Sequence, residues 1–184
     1  DSLGASEREV LHEDVASVLE DLYAGHTDKV AVQLAHHYDM ARLDAKAATA
    51  YLRAGRVALV MYAHREALKL ATRGLECLDR SGEAQRHSAL MLDLHLLVAE
   101  ALRHDGRFVE CMGRYRQAAD LAMALDAPEA LAQAALGYDE PRWRCNLDEP
   151  YANTLLERAL ARIGSGDSVL RVYLMAHLAH GSQD

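Results

Sequence analysis

Residues 50–75 read AYLRAGRVALVMYAHREALKLATRGL and residues 94–119 read LHLLVAEALRHDGRFVECMGRYRQAA, and the two stretches align 44 positions apart. In the first, Tyr51, Ala54, Gly55 and Ala58 fall on one helical face, followed by Ala67 and Ala71. His95, Val98, Ala99 and Leu102, then Cys111 and Tyr115, take the same places in the second. Small side chains at Gly55, Ala67 and Ala99 let paired helices approach closely, while Phe108 and Tyr115 fill the wider gaps. Gly106 can take the left-handed conformation that ends one helix just before Phe108 opens the next. The pattern predicts an all-α chain of antiparallel helical hairpins.

The spacing in the first copy is that of W-x2-L-G-x2-Y followed by A-x3-F, the signature of tetratricopeptide repeats. The expected architecture is therefore a tetratricopeptide-like α-solenoid, a right-handed superhelix of roughly four to five hairpins. The chain of 184 residues is 51% apolar and only 5% aromatic, enough to bury a continuous core. Its three prolines, Pro128, Pro141 and Pro150, all lie in the last third, so nothing earlier is forced to break by proline.

A formal net charge of −8 argues against a nucleic-acid surface, which needs a basic stripe to displace phosphate counterions. An acidic repeat stack is expected to bind protein instead. Cys77, Cys111 and Cys145 are widely spaced and odd in number, and read as reduced thiols of a cytoplasmic protein, the first two buried. No apolar run reaches the ~20 residues that span a bilayer, and no signal peptide opens the sequence. The absence of an initiator methionine leads us to expect a piece of a longer polypeptide.

Periodicity places a first helix over about 6–23, closing at Gly25, and a second capped by Thr27 and ending near Ala41. Helices from Asp44 to Met61 and His64 to Leu78 follow, broken by Ser81 and Gly82, and then a pair over 83–104 and 108–125. Residues 1–41 read as helices linking to an upstream domain and 42–184 as the repeats. In Asp126-Ala127-Pro128-Glu129, Asp126 is expected to cap a short helix ending near Gly137, with Glu129 reaching back. Residues 138–148 read as an irregular insertion before helices over about 148–164 and 167–180.

Chemical sites are scarce. Glu9 and His12 form one Glu-x-x-His, whereas a carboxylate-bridged di-metal bundle needs two. His36 and His37 are neighbours pointing about 100° apart on a helix, and His177 with His180 lacks a third ligand, so no metal is expected. No G-x-S-x-G surrounds a nucleophile, and neither nucleotide-binding glycine motif is present, so the segment is expected to be non-catalytic and without a cofactor. Candidate partner- or effector-binding residues are those facing the groove from the first helix of each hairpin: Arg56, Leu59, Asp93, Leu96, Glu100, Arg103 and His104. Trp143, between Arg142 and Arg144, is a further candidate because a tryptophan flanked by arginines suits a binding hot spot. The plainer alternative folds it back over the next hairpin.

Three stretches carry a family resemblance: LH-x2-VA-x2-LE at Leu11 to Glu20, LAHHY at Leu34 to Tyr38, and LDEPYANTLLERALARIGSGDSVLRVYLMAHLA near the end. They resemble the region that follows the nucleotide-binding and winged-helix parts of bacterial STAND ATPases, in particular LuxR-type transcriptional regulators and ATPase-linked class III nucleotide cyclases. The resemblance implies ATP and Mg only upstream, helical repeats acting as sensor and oligomerisation arm, and an output domain at one end. The expected partners are protein, neighbouring domains of the same polypeptide, another copy of the chain, or a small-molecule effector, with no nucleic acid or membrane contacted by this segment.

Overall fold

In a computed structural model that describes residues 4–83, 85–145, 150–166 and 168–181, the side chain of Trp143 excepted, helices follow one another with short connections. They are α1 (Ala5–Leu22), α2 (Ala31–Met40), α3 (Asp44–Val60), α4 (His64–Ser81), α5 (Ser88–His104), α6 (Phe108–Ala124), α7 (Pro128–Cys145), α8 (Pro150–Arg162) and α9 (Val169–Gly181). A 3-10 turn over Thr27–Val30 leads into α2. There is no strand among the described residues. The chain divides into two compact units, Asp1–Leu97 and Val98–Asp184, with the boundary inside α5.

Four connections are built alike. Each helix ends on a residue of positive φ: Arg42 (60°), Tyr62 (58°), Gly106 (77°) and Asp126 (50°). The following N–H bonds five residues back, Leu43 to Tyr38, Ala63 to Ala58, Arg107 to Leu102 and Ala127 to Ala122, at 2.9–3.0 Å. That residue's own carbonyl then accepts the first bond of the next helix, so three residues suffice to connect the two helices. A shift of 64 residues carries the bounds of α3 (44 and 60) onto those of α6 (108 and 124), and α4 (64 and 81) onto α7 (128 and 145). The 44-residue alignment relates the turns at Tyr62 and Gly106, and the longer shift relates whole helix pairs.

α4 shows how sequence selects the buried face. Ala67, Leu70, Ala71, Gly74, Leu75 and Leu78 recur at i, i+3, i+4, i+7 and are buried, while Arg65, Glu66, Lys69 and Glu76 stay exposed. In the first unit α2 packs on α1 and α3, and α3 on α4. A Cβ at Gly55 would stand 2.7 Å from Leu97 Cδ2 and 3.5 Å from the Ala67 carbonyl oxygen, and one at Gly74 would stand 2.8 Å from Leu94 Cδ2. In the second unit α6 packs on α7, α7 on α8, and α9 on both α7 and α8. A Cβ at Gly137 would meet the Tyr115 ring at 2.3–2.7 Å, so the absent side chain lets that ring lie on the α7 backbone.

Several local expectations are corrected. Thr27 opens a 3-10 turn without a side-chain cap, its hydroxyl taken by Arg53. Asp126 has left-handed backbone that terminates α6, which leaves Ala127 in the N-terminal position of α7 and Pro128 in its first turn. Residues 85–87 form a turn, so α5 starts at Ser88. Residues 138–145 belong to α7, with buried Tyr138, Asp139 and Pro141 on its inner side. Proline removes one helical hydrogen bond, but burial against neighbouring helices outweighs the loss there. Residues 146–148 of the expected insertion lie outside the described residues.

Left-handed backbone costs a side chain about 1–2 kcal/mol. Tyr62, 82% exposed, makes no packing contact large enough to offset that, so Tyr62→Gly is expected to raise stability by roughly 0.5–1 kcal/mol in urea titrations. Gly55→Leu is expected to cost about 1–3 kcal/mol in the same assay, because Leu97 and the Ala67 carbonyl already occupy the space.

Candidate functional site

The best-formed site candidate in the first unit lies along one face of α3. Lys46, Thr49, Ala50 and Arg53 follow i, i+3, i+4, i+7 spacing and form one wall of a recess of about 290 Å³. α1 contributes Glu20, α2 contributes Leu34 and Tyr38, and His87 closes one side. Leu34, Tyr38 and Ala50 are buried and make an apolar floor, over which the charged groups form a rim. Lys46 Nζ stands 5.3 Å from the centroid of the Tyr38 ring. Burial and the hydrogen bond to Glu20 push the Tyr38 hydroxyl well above its ordinary pKa, so it remains a donor at all physiological pH. Arg53 bonds the Thr27 hydroxyl and lies 3.5 Å from Asp28.

Of the predicted residues, Arg56 stands one turn beyond Arg53 on α3 and pairs with Asp93 of α5 at 2.9 Å, both side chains about half exposed. Leu59 and Leu96 are partly exposed. A larger recess of about 550 Å³ opens on the other side of the same unit, between α2 and α4, with Val32, His36, Tyr51, Lys69, Arg73 and Glu76 among its walls. Its arginine is committed elsewhere.

That commitment is to Asp39. Its carboxylate is buried and accepts hydrogen bonds from Tyr51 Oη at 3.1 Å, Arg73 Nε at 2.8 Å and Arg80 Nη2 at 2.7 Å. Arg80 also bonds Asp44 and reaches Cys77 Sγ at 3.7 Å. Burial alone would raise the Asp39 pKa, but the bonds from Arg80, Arg73 and Tyr51 outweigh it and hold the carboxyl below its usual range. Burial, and next the Asp39 charge, push the Cys77 thiol up to about 11, so it is inert as a nucleophile. Asp39, Asp44 and Cys77 form the one group of three metal-ligating side chains within 4.8 Å among the described residues. The Arg80 guanidinium bonds all three and already supplies the positive charge such a site would otherwise attract.

In the second unit the predicted residues Glu100, Arg103 and His104 engage one another. Glu100 accepts from Tyr115 Oη at 2.9 Å and Arg103 Nη2 at 2.5 Å, with His104 Nε2 at 3.0 Å, and Arg103 reaches Glu140 at 3.1 Å. Desolvation pushes the Glu100 pKa up, but these donors overcome it and the carboxyl lies below its ordinary value. Tyr51 with Asp39 and Tyr115 with Glu100 thus repeat one device: a buried tyrosine donates to a carboxylate on the preceding helix, and arginines neutralise it. Elsewhere in this unit, Asp139 is fully buried, with His177 Nδ1 at 2.7 Å and Arg142 Nη2 at 2.9 Å, which fastens α9 to α7. The side chain of Trp143 lies outside the described residues, and neighbouring Arg144 stacks 5.7 Å from the Phe108 ring. Cys111 is buried and its thiol pushed up to about 12 by desolvation.

Glu20, Lys46, Arg53 and His87 were missed by sequence reasoning. The helical stripe on α3 was readable, but which stripe faces a recess depends on where α1 packs. No helix among the described residues is long and apolar enough to cross a membrane. The chain matches no protein-family profile, no curated protein and no solved structure.

Asp39 generates a signed prediction. A carboxyl with a depressed folded pKa contributes stability above its unfolded pKa of about 3.9, and that contribution disappears as pH falls through the folded value. Asp39→Asn is expected to cost about 2 kcal/mol at pH 7, below the range for a fully buried pair because Arg73 and Arg80 remain 43% and 29% exposed. Urea titrations at pH 7 and near pH 3 should show the gap between wild type and variant shrinking at the lower pH.

Proposed function

We propose that this chain is a non-catalytic sensor and protein-interaction segment of a multidomain bacterial transcriptional regulator of the STAND class, built as a right-handed tetratricopeptide-like superhelix. The observation that carries the reading is the recess between α1 and α3, the first helices of two consecutive hairpins, in which Lys46, Arg53, Glu20 and His87 rim an apolar floor. First helices form the binding face of helical repeats generally. A floor of Leu34 and Ala50 takes an apolar group, and Lys46 above the Tyr38 ring suits an acidic one, so the occupant is a small effector or a peptide side chain carrying both.

The residue chemistry supports a binding role over a reactive one. Both buried thiols are raised in pKa, and the strongest carboxylate clusters are neutralised by arginines from the same unit. Glu100, Arg103 and His104 act mainly as a clasp of α5, α6 and α7 in this reading, and the contacting surface moves to Lys46, Arg53 and the adjoining Arg56–Asp93 pair. ATP chemistry, when it occurs, belongs to an upstream domain of the regulator, and the partner is that domain, a second copy or the effector.

The double variant Lys46→Ala/Arg53→Ala tests this, because rim charges govern specificity more than fold stability. Its melt should stay within about 1 kcal/mol of wild type, while the response of the intact regulator to its inducer falls by about tenfold or more. An unchanged response with a normal melt would remove the recess from the mechanism.

A further inference from the structure

The sequence contains ten histidines, and three of them meet between α1 and α2. His12 Nδ1 lies 2.8 Å from His37 Nδ1, with ring centroids 5.0 Å apart. The His36 ring lies 6.0 Å from that of His12 and 5.5 Å from that of His37. Two imidazoles at this distance share one proton: one nitrogen donates and the other presents its lone pair. A metal ion can replace that proton and use both lone pairs.

The separation bears on which coordination geometry the pair suits. Imidazole nitrogen binds first-row divalent metals at about 2.0–2.1 Å. Two nitrogens 2.8 Å apart therefore subtend close to a right angle at the metal, as neighbouring ligands do in square-planar and octahedral coordination. Tetrahedral zinc would need them about 3.3 Å apart at the same bond length. Right-angled nitrogen coordination suits copper(II) and nickel(II). His36 is exposed and can supply a third nitrogen by side-chain rotation.

The surroundings favour a cation. α1 carries Glu7, Glu9, Glu13, Asp14, Glu20 and Asp21 against a single basic residue, Arg8. Glu9 stands one turn before His12, and Glu13 is close enough to α2 for its charge to act on Tyr38. Burial, and then the neighbouring His12 and His36, disfavour the charged form of the His37 imidazole. The helix that would be clamped also has most to gain, since Ala16 is its one buried residue while Leu11, Val18 and Leu22 are 51–72% exposed.

We propose that His12 and His37, with His36 as an auxiliary ligand, form a binding site for a divalent copper or nickel ion that clamps α1 onto α2. The site rests on histidine geometry alone and is independent of what the α3 recess binds. Ligation through both Nδ1 atoms moves the shared proton to Nε2 of the donating ring, so each imidazole binds in its neutral form.

The test titrates nickel(II) chloride into the metal-free 184-residue chain at pH 7.5 by calorimetry. One equivalent should bind ahead of any weaker sites. His12→Ala and His37→Ala should each weaken it by about tenfold or more, and His26→Ala, on an exposed residue away from the cluster, should leave it unchanged. Retention of the first equivalent in the His12→Ala/His37→Ala double variant overturns the proposal. A measurement on the unaltered chain covers the case in which the variants release α1: pulsed electron paramagnetic resonance with one equivalent of copper(II) counts the equatorial imidazoles. Two or three support the site, and one or none overturns it.

Discussion

Helices in this chain approach one another as closely as the absence of side chains allows. Leu97 and Leu94 stand where Gly55 and Gly74 would carry a Cβ, and the Tyr115 ring lies on the α7 backbone at Gly137. Alanine does the same work at Ala47, Ala54, Ala67 and Ala71 in the first unit and at Ala118, Ala119, Ala132 and Ala135 in the second, all at 2% exposure or less. Such close seams leave little apolar area per residue, so shape has to be maintained by contact quality and by the turns. The four left-handed connections serve that end, because a three-residue connection favours antiparallel neighbours.

Close packing also sets where charge is tolerated. Burying Asp39 beneath two helices would be prohibitive without Arg73, Arg80 and Tyr51, and Glu100 depends in the same way on Arg103 and Tyr115. In each unit a tyrosine at equivalent positions meets a glycine of the next helix, Tyr51 through its Cβ at Gly74 and Tyr115 through its ring at Gly137, and donates its hydroxyl to a carboxylate. One residue type thereby joins apolar packing to polar satisfaction, and the arginines that complete each network become unavailable to a ligand. The groups left at a recess are those on helix faces that no third helix covers.

That division explains how the candidate residues sort. Arg56, chosen as groove-facing, lies one turn beyond Arg53 on α3 and pairs with Asp93 of α5, both side chains about half exposed. Glu100, Arg103 and His104 were chosen by the same rule, yet their charges are spent within the second unit on one another, on Tyr115 and on Glu140. Helical periodicity assigns a residue to a face but carries no information on what that face meets. The proximity of His12 to His36 and His37 escaped sequence reasoning for the same reason: the two segments are 24 or more positions apart, and only the docking of α1 on α2 brings the rings together.

The sequence by itself determined that the chain is helical and where most helices begin and end: periodicity of apolar residues, helix ends at Gly25, Gly82 and Gly106, and the small residue at Gly55 are local properties, whereas the close approaches at Gly74 and Gly137 were not legible in it. It misled where local signals compete with packing. Asp126 looked like a helix cap and is a left-handed terminator, and Pro141 looked like a breaker and sits buried inside α7. Tertiary structure alone decided which charges are neutralised, which stripe of α3 opens onto a recess, and which histidines meet, because each depends on the contact between elements distant in sequence, where burial and ion pairing outweigh the propensity of any single residue.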